Sequence, residues 1–580
     1  MQDAATAEER AAVDHLLGNP ETPYGGRAIV GGLHHALDNR HLLLPALWAI
    51  QDAIGYISPG AMNYVSERLT VPPADAYGVA SFYSLLHTDG RQASRLAHVC
   101  DDVACRRSGV ELLGALSGRA DVLSGPCLGQ CDRAPAVFIQ IAGARDIVLT
   151  GATPELVRSI LDGAEPQTDE TDPGIAVGGP LVARVGNADP TSLDDYLGAG
   201  GYRSLRTAVA AGRDAVIEAV TTSAIRGRGG AAFPAGIKWR AVADEPATPK
   251  YIVCNADESE PGTFKDRVLL EGDPFAVVES MTIAGYAVGA EHGYVYIRGE
   301  YPVGQERIEN AVDQARRRGL LGPDVDGSGF SFDIEIRRGA GAYICGEETA
   351  LFNSIEGLRG MPRQKPPFPT QAGLFGKPTV INNVETLVNV LPIVTEGGDT
   401  FAGTGTREST GTKIFCLSGD IGTPGSYEVE FGATLRDLID LAGGVRGTFR
   451  AALVGGAAGA FVMEDKLDLE LTFESARDAG VSLGSGVVMV FNDETDFTDI
   501  VLRIGAFFRD ESCGQCTPCR VGTMRQEESL IRLAAGSRDE GPVLRDVALV
   551  MSDSSICGFG FAASWAVQSA LRLGLIGDGT

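Results

Sequence analysis

Apolar residues recur at i, i+3 and i+4 in His41 to Tyr56 and again in Pro72 to Leu86, which predicts helices within a stretch, residues 8 to 90, that reads as helical. Pro72 and Pro73, following Val71, suit a first helical turn, where the missing N–H is not needed. From Arg95 the pattern shifts to short β-like runs, Leu96 to Cys100 and Ala136 to Ile141, around a helical segment near Val110 to Leu116, the make-up of a small α/β domain. Residues 163 to 191 concentrate Asp, Glu, Gly, Pro and Thr with little amphipathic period, the composition of a solvated connector. Between about Asp194 and Gly405, β-like runs at Lys250 to Cys254, Gly293 to Arg298 and Phe332 to Ile336 alternate with helical segments, which predicts α/β layers. Residues 411 to 495 read as a small α+β domain, with strands at Lys413 to Ser418 and Gly425 to Phe431 and a helix at Thr434 to Ala442. From Asp496 onward the pattern is helical, with cysteines near both ends.

Length and composition narrow the classes. A chain of 580 residues suggests three to five domains at roughly 100 to 200 residues each. The net charge of −27 argues against a nucleic-acid footprint, which needs a basic surface. No run of about 18 uncharged apolar residues occurs, so no membrane span is expected. Asp3, Glu8 and Glu9 stand where a signal peptide would be basic and then apolar, so the cytoplasm is the expected compartment. Two counts are unusual: 75 glycines, about 13% against a typical 7% or so, and 11 cysteines. An odd cysteine count in such a chain points to metal or redox chemistry rather than to disulfides.

The cysteines fall into sets. Cys100, Cys105, Cys127 and Cys131 form C-x4-C and C-x3-C pairs, the second within CLGQCDRAP, and four such thiolates can hold either a [2Fe-2S] cluster or a tetrahedral zinc. Cys513, Cys516 and Cys519 in ESCGQCTPCR, with Cys557 in SSICGFG as the fourth, have the C-x2-C-x2-C-plus-one spacing of a cubane [4Fe-4S] cluster. Cys254, Cys345 and Cys416 stand alone in apolar or Gly-rich surroundings and read as small core residues.

The sharpest glycine signal is RGRGGAAFPAGIKW, Arg226 to Trp239. Successive glycine amides with a lysine a turn later can cradle a phosphate-bearing ligand, since only glycine allows so close a backbone approach. The G-x-G-x-x-A match is weak alone, and the absence of GK[ST] rules out a Walker loop. Three companions strengthen it: CNADESEPGTFKDR from Cys254, GAGAYICGEETAL from Gly339, and INNVET from Ile381. Each sets polar, acidic or amide residues beside glycine or a β-like run, as a flavin or nucleotide site requires.

Together these motifs resemble a fusion of the two peripheral NADH-dehydrogenase subunits of respiratory complex I, the smaller one that holds a [2Fe-2S] cluster and the larger one that binds FMN and NAD(H). Such fusions also serve as diaphorase subunits of NAD-reducing hydrogenases and NAD-linked formate dehydrogenases. The resemblance runs from about residue 10 to 575. It implies a multidomain α/β and α+β chain: an N-terminal helical bundle (1–92), a thioredoxin-like [2Fe-2S] domain (93–165), a linker (166–193), a Rossmann-like FMN/NAD(H) domain (194–405), a β-grasp soluble-ligand-binding domain (406–495) and a helical [4Fe-4S] bundle (496–580). It also implies Cys100, Cys105, Cys127 and Cys131 as [2Fe-2S] ligands and Cys513, Cys516, Cys519 and Cys557 as [4Fe-4S] ligands. Gly227, Arg228, Gly229, Gly230, Ala231, Phe233 and Lys238 fall in the loop between flavin and nucleotide. Asn255, Asp257, Glu258, Ser259, Tyr343, Gly346, Glu347, Glu348, Ile381, Asn382, Asn383 and Thr386 line the cavity, with Glu260 near the nicotinamide. The chain departs from the family's GGAGFPTG at Ala232 and Ala235, and from its CGLG at Phe559.

What the resemblance implies chemically is hydride exchange between NAD(H) and FMN followed by single-electron steps through the clusters to a partner, with no general base among the residues. Carboxylates around the nucleotide would disfavour the 2′-phosphate of NADP. The other half-reaction must belong to another subunit. The first expectation is a catalytic iron-sulfur subunit carrying a Mo- or W-pterin, as in formate dehydrogenase; the alternatives are hydrogenase and complex I subunits. A reading from a different class is a non-catalytic iron-sulfur or zinc scaffold.

Overall fold

The computed structural model describes residues 4–18, 39–90, 93–165 and 172–577. Residues 19–38, 91 and 92 of the expected helical bundle and its boundary, residues 166–171 of the expected linker, and both extreme termini lie outside that range.

The N-terminal helices Ala7–Leu17, Leu43–Ile54, Pro59–Leu69 and Pro73–Ala80 pack on one another through Val13, Leu47, Val65 and Val79. Ser58 caps the third, accepting from Ala61 N at 3.0 Å, with Pro59 in its first turn. The helix expected from Pro72 to Leu86 stops at Ala80. Beyond it the chain crosses to the domain expected over 194–405, where Ser84 N and Leu85 N donate to the carbonyls of Gly341 and Ala340.

Strands β1 (Arg95–Cys100), β2 (Val122–Gly125), β3 (Ala136–Ile141) and β4 (Ile147–Thr150) form a sheet of order β2-β1-β3-β4, parallel between β1 and β2 and antiparallel elsewhere. Helices Arg106–Ala115 and Pro154–Leu161 flank it, and β3, apolar except for the hydrogen-bonded Gln140, is buried throughout. This is the thioredoxin-like unit.

The expected connector contains a strand. β5 (Ala176–Gly178) pairs in parallel with a strand much further along the chain, at Ser426 to Glu428. Glu428 clamps the chain just past β5, its carboxylate accepting from Leu181 N at 2.8 Å and Val182 N at 3.2 Å. No local pattern in so short a run announces such a pairing; the partner strand supplies the hydrogen bonds.

Strands β6 (Tyr251–Ala256), β7 (His292–Ile297), β8 (Asp333–Arg338) and β9 (Thr379–Asn383) make an all-parallel sheet of order β8-β7-β6-β9. Helix Pro274–Val288 is apolar on nearly every face and is buried along almost its whole length under this sheet. Strand order reverses between β6 and β9, so a crevice opens there beyond the carboxyl ends of the strands.

The next unit is a sheet of β10 (Thr412–Gly419), β11 (Gly425–Glu430), β12 (Phe449–Val454), β13 (Ala460–Val462) and β14 (Val487–Asn492), ordered β13-β12-β14-β10-β11-β5. Helix Leu435–Leu441, capped by Thr434 and Asp437, covers it. Helices Phe497–Asp510, Thr517–Ala534, Glu540–Ser554, Gly558–Ala562 and Trp565–Arg572 complete the chain. Among the described residues, no helix is long and apolar enough to cross a membrane.

Candidate functional site

The glycine-rich loop folds back on itself, Gly227 N donating to Phe233 O at 2.9 Å, and lies across the carboxyl end of β9. Arg228 N donates to Thr386 Oγ1 at 2.8 Å, and Ala231 is exposed on the loop. A Cβ on Gly229 would stand 3.0 Å from that of Asn383, so the loop can sit this low only with glycine there. Ala232 adopts φ 52°, a left-handed conformation that costs an L-residue about 1–2 kcal/mol, where the resembling family carries glycine.

Arg228, expected at the cofactor, turns away from the crevice. Its guanidinium is fully buried, donating to Arg226 O and Thr410 O, and lies 4.7 Å from the Phe431 ring centroid. Behind the loop, Lys265 Nζ lies 3.0 Å from Glu385 and 2.7 Å from Asp266, and Lys413 Nζ lies 4.0 Å from Glu385 and 3.3 Å from Arg228 O. Lys265, Lys413 and Arg228 thus gather with Glu385, Asp266 and Glu258 in the interior, close to charge balance, with Lys413 and Arg228 nearest the loop.

Asn382 and Asn383 are committed to holding the crevice together. Asn382 accepts from Trp239 Nε1 at 2.9 Å; Asn383 bridges Asp266 at 2.5 Å and Lys265 at 3.1 Å. Lys238 Nζ donates to Ile381 O at 2.9 Å and lies 3.7 Å from Glu348. Phe233 beside it is about half exposed at 51%.

Opposite, the segment after β6 forms the other wall. Asn255 donates to Gly346 O at 2.8 Å, fixing the Tyr343–Gly346 turn against β6. Asp257 Oδ2 is buried with no hydrogen-bond partner, and desolvation lifts this carboxyl well above its ordinary range. An unpaired carboxyl oxygen at a crevice wall, pushed toward its neutral form, fits a ligand with a polar group to share a hydrogen bond with it. Glu260 accepts from Tyr343 Oη at 2.5 Å and from Ala458 N at 2.9 Å, joining flavin and β-grasp domains; burial raises its pKa to about 7. Ser259 lies between these residues in sequence and is partly exposed. Glu258 is spent internally, accepting from Thr263, Asp266 N, Arg267 N and Tyr301.

Lys365 and Phe368 were not legible in the sequence. Lys365 Nζ holds Glu347 at 3.0 Å and Glu348 at 2.5 Å, so both expected carboxylates are partly neutralised at the rim. Phe368 is 54% exposed on the same segment, a second aromatic face like Phe233. Their only signal was a proline-rich run, QKPPFP, which reads as a turn.

Each cysteine set gathers in one place. Cys100 ends β1, Cys105 closes a 3-10 turn, and Cys127 and Cys131 follow β2, with their sulfurs 3.4 Å apart. Hydrogen bonds from Cys100 and Cys131, with Arg298 adding to them, hold the Cys127 thiol well below the ordinary thiol range. Cys519 sits in the first turn of Thr517–Ala534 and Cys557 immediately precedes Gly558–Ala562. Burial, and after it the nearness of Cys516, Cys557 and Cys513, raises the Cys519 pKa to about 12. Among the described residues, no group of three or more His, Cys, Asp or Glu is closed up as a single metal ion requires, and the all-thiol donor sets fit iron-sulfur clusters. Cys254, Cys345 and Cys416 are buried core residues.

Tyr343 connects crevice and cluster. Its ring centroid lies 5.1 Å from that of Phe507 and 5.7 Å from that of Phe559, two residues from Cys557. Tyr343 N donates to Glu511 at 2.8 Å.

Four family matches follow this anatomy: a thioredoxin-like [2Fe-2S] ferredoxin over residues 32–165, the Nuo51 FMN-binding domain over 220–392, the SLBB domain over 414–453, and the NADH-ubiquinone oxidoreductase-F iron-sulfur binding region over 499–573. The fold and site define a flavin and iron-sulfur oxidoreductase subunit. The chain is 44% identical over 398 residues to the F 2 subunit of the NADH-quinone oxidoreductase of Rhizobium meliloti, covering 68% of this chain and 94% of that one. It is 45% identical over 380 residues to NADP-reducing hydrogenase subunit HndC of Solidesulfovibrio fructosivorans, covering 65% and 77%. A chain of the NAD+-reducing [NiFe]-hydrogenase structure in the air-oxidized state superposes with a TM-score of 0.79 at 32% identity, covering 92% of each. The protein belongs to the NADH-dehydrogenase family of FMN and iron-sulfur subunits, in the form that joins the smaller [2Fe-2S] part and the larger FMN-binding part in one chain. Its cofactors are FMN, NAD(H), one [2Fe-2S] and one [4Fe-4S] cluster.

Proposed function

We propose that the chain is the diaphorase subunit of a larger assembly, exchanging electrons between NAD(H) and a separate metal-containing catalytic subunit. The observation that carries this reading is Tyr343, hydrogen-bonded to Glu260 in the crevice and packed by its ring against Phe507 and Phe559 beside Cys557. FMN, when bound, takes the nicotinamide hydride as an electron pair and releases electrons singly, which the clusters require.

The residues supply binding, orientation and exclusion of water. The Gly229 and Gly230 amides, with Lys413 behind the loop, favour a phosphate; Asp257 offers an unpaired carboxyl oxygen; Phe233 and Phe368 offer flat faces for the nucleotide. Glu260, with a pKa of about 7, can hold a proton beside the crevice at neutral pH and is kept in place by Tyr343 and Ala458 N. Glu347 and Glu348 are met by Lys365 and by Lys238, so the rim is close to charge balance and its carboxylates are held in place beside the crevice.

For the partner, the first reading is a Mo- or W-pterin subunit of a formate dehydrogenase. The end-to-end similarity to a chain of the NAD+-reducing [NiFe]-hydrogenase supports a second reading, a nickel-iron subunit. Purified protein is expected to show a flavin spectrum and to reduce an artificial dye with NADH; absence of both would refute the diaphorase reading. Native co-purification with analysis for Mo, W and Ni separates the partners.

A further inference from the structure

A buried cation and anion at the end of β7 lie between the two redox sites, and nothing in the crevice chemistry accounts for them. Arg298 and Glu300 are each 2% exposed. One Arg298 nitrogen donates to the backbone carbonyl of Glu258 at 2.5 Å, in the crevice wall; the other donates to the carbonyl of Cys127 at 2.5 Å. Glu300 accepts from the same guanidinium at 2.9 and 3.3 Å. Arg298 therefore touches the cysteine loop directly, and Glu300 touches Arg298.

The loop cannot drift from this pair. Arg267, fully buried, donates to Gly129 O at 2.9 Å and grips Asp132 with two bonds of 2.9 and 3.0 Å. Gly129 has φ 64°, and a Cβ there would stand 2.1 Å from Tyr301 Oη. That hydroxyl in turn donates to Glu258 at 3.1 Å. The segment carrying Cys127 and Cys131 is thus seated on the flavin domain through Arg298, Arg267, Tyr301 and Glu258.

We propose that Arg298, opposed by Glu300, sets the reduction potential of the [2Fe-2S] centre and makes its ligand loop and the flavin-crevice wall one rigid unit. The proposal rests on reading Cys100, Cys105, Cys127 and Cys131 as that cluster's ligands. Reduction adds one electron, supplied by NADH through the flavin, and hence one negative charge to the cluster. A fixed cation at the loop favours the reduced form and a fixed anion disfavours it, and both effects are strong where water is excluded. Arginine suits the position because its planar fork reaches two carbonyls and a carboxylate at once and stays charged at every accessible pH.

The test is an EPR-monitored redox titration of the holoenzyme. R298M is expected to lower the [2Fe-2S] midpoint potential and E300Q to raise it. R298K, which keeps the charge but not the fork, is expected to lower it less than R298M. In E300Q, which keeps the Arg298 bonds to both carbonyls, FMN content should stay as in the wild type and the [4Fe-4S] midpoint should shift less than that of the [2Fe-2S] centre. Should R298M fail to retain its cluster, E300Q, which changes charge at nearly constant volume, decides. An E300Q protein with an intact [2Fe-2S] signal and an unshifted or lowered midpoint overturns the proposal, as do equal shifts in both clusters. Lack of any [2Fe-2S] signal in the wild type would instead sink the ligand reading.

Discussion

Lys413 lies on β10 with no exposed side chain, and its position sets stability against ligand affinity. Burial, together with the cations Lys265 and Arg228, outweighs Glu385 and pulls its pKa from 10.5 to about 8. At about 1.4 kcal/mol per unit, keeping Lys413 charged near pH 7 costs the folded apoprotein about 3 kcal/mol. K413M removes that cost and also the bond from Nζ to Arg228 O, which contributes about 1 kcal/mol. The apoprotein should therefore gain about 1–2 kcal/mol at pH 7. The sign with pH follows from the depressed pKa: between about 8 and 10.5 the unfolded chain holds the proton and the folded chain does not. Wild-type stability therefore rises relative to K413M across that window, and the advantage of the variant shrinks. The same substitution removes a positive charge behind the glycine loop. In the water-poor interior that charge favours a bound phosphate, and its loss should weaken binding of a phosphate-bearing ligand and spare one without phosphate. Thermal midpoints of the apoprotein at pH 7 and 10, with titrations of FMN and of phosphate-free riboflavin, provide the assay. The expected result is a more stable apoprotein that binds FMN more weakly and riboflavin unchanged. A K413M apoprotein less stable than the wild type at pH 7 by about 2 kcal/mol, or equal losses for FMN and riboflavin, would refute the reasoning.

Relief of the left-handed backbone at Ala232 should make A232G more stable by roughly 0.5–1 kcal/mol despite the added freedom of glycine in the unfolded chain, read as a higher thermal midpoint. C516S should abolish the [4Fe-4S] EPR signal while FMN stays bound; an unchanged spectrum would remove Cys516 from the ligand set. Glu260 has its folded pKa raised from 4.5 to about 7, so its contribution to stability is present below about 4.5 and declines as pH rises through 7. The stability difference between wild type and E260Q should therefore move against the wild type over that interval, and a pH-independent difference would show that Glu260 does not titrate there.

Much of the site was legible because its chemistry is local in sequence. Closely spaced thiolates, a run of glycines before a lysine, and acidic or amide residues directly after β-like runs each report their use within a short segment. β10, β11 and the helix between Leu435 and Leu441 were likewise readable from alternating and helical periods. β5 was not, because its hydrogen bonds come from a strand on the far side of the flavin domain in sequence. Glu258 and Arg228 were placed in the site for their company in sequence. Their side chains point into the packing, where Glu258 accepts four hydrogen bonds and Arg228 leans on Phe431.

What the sequence determined by itself was the inventory: two groups of four cysteines, three core cysteines, a glycine-rich loop that is a candidate phosphate cradle, and the alternation of layers, because residue spacing and hydrophobic period are properties of short segments. Tertiary structure alone decided the couplings. It brought Lys413 behind the glycine loop, set Lys365 across Glu347 and Glu348, stood Tyr343 between crevice and cluster, and laid Arg298 between Cys127 and Glu258. The physical reason is that a buried charge takes its meaning from partners that close it off from water. Those partners come from strands and loops that meet only when the sheets pack.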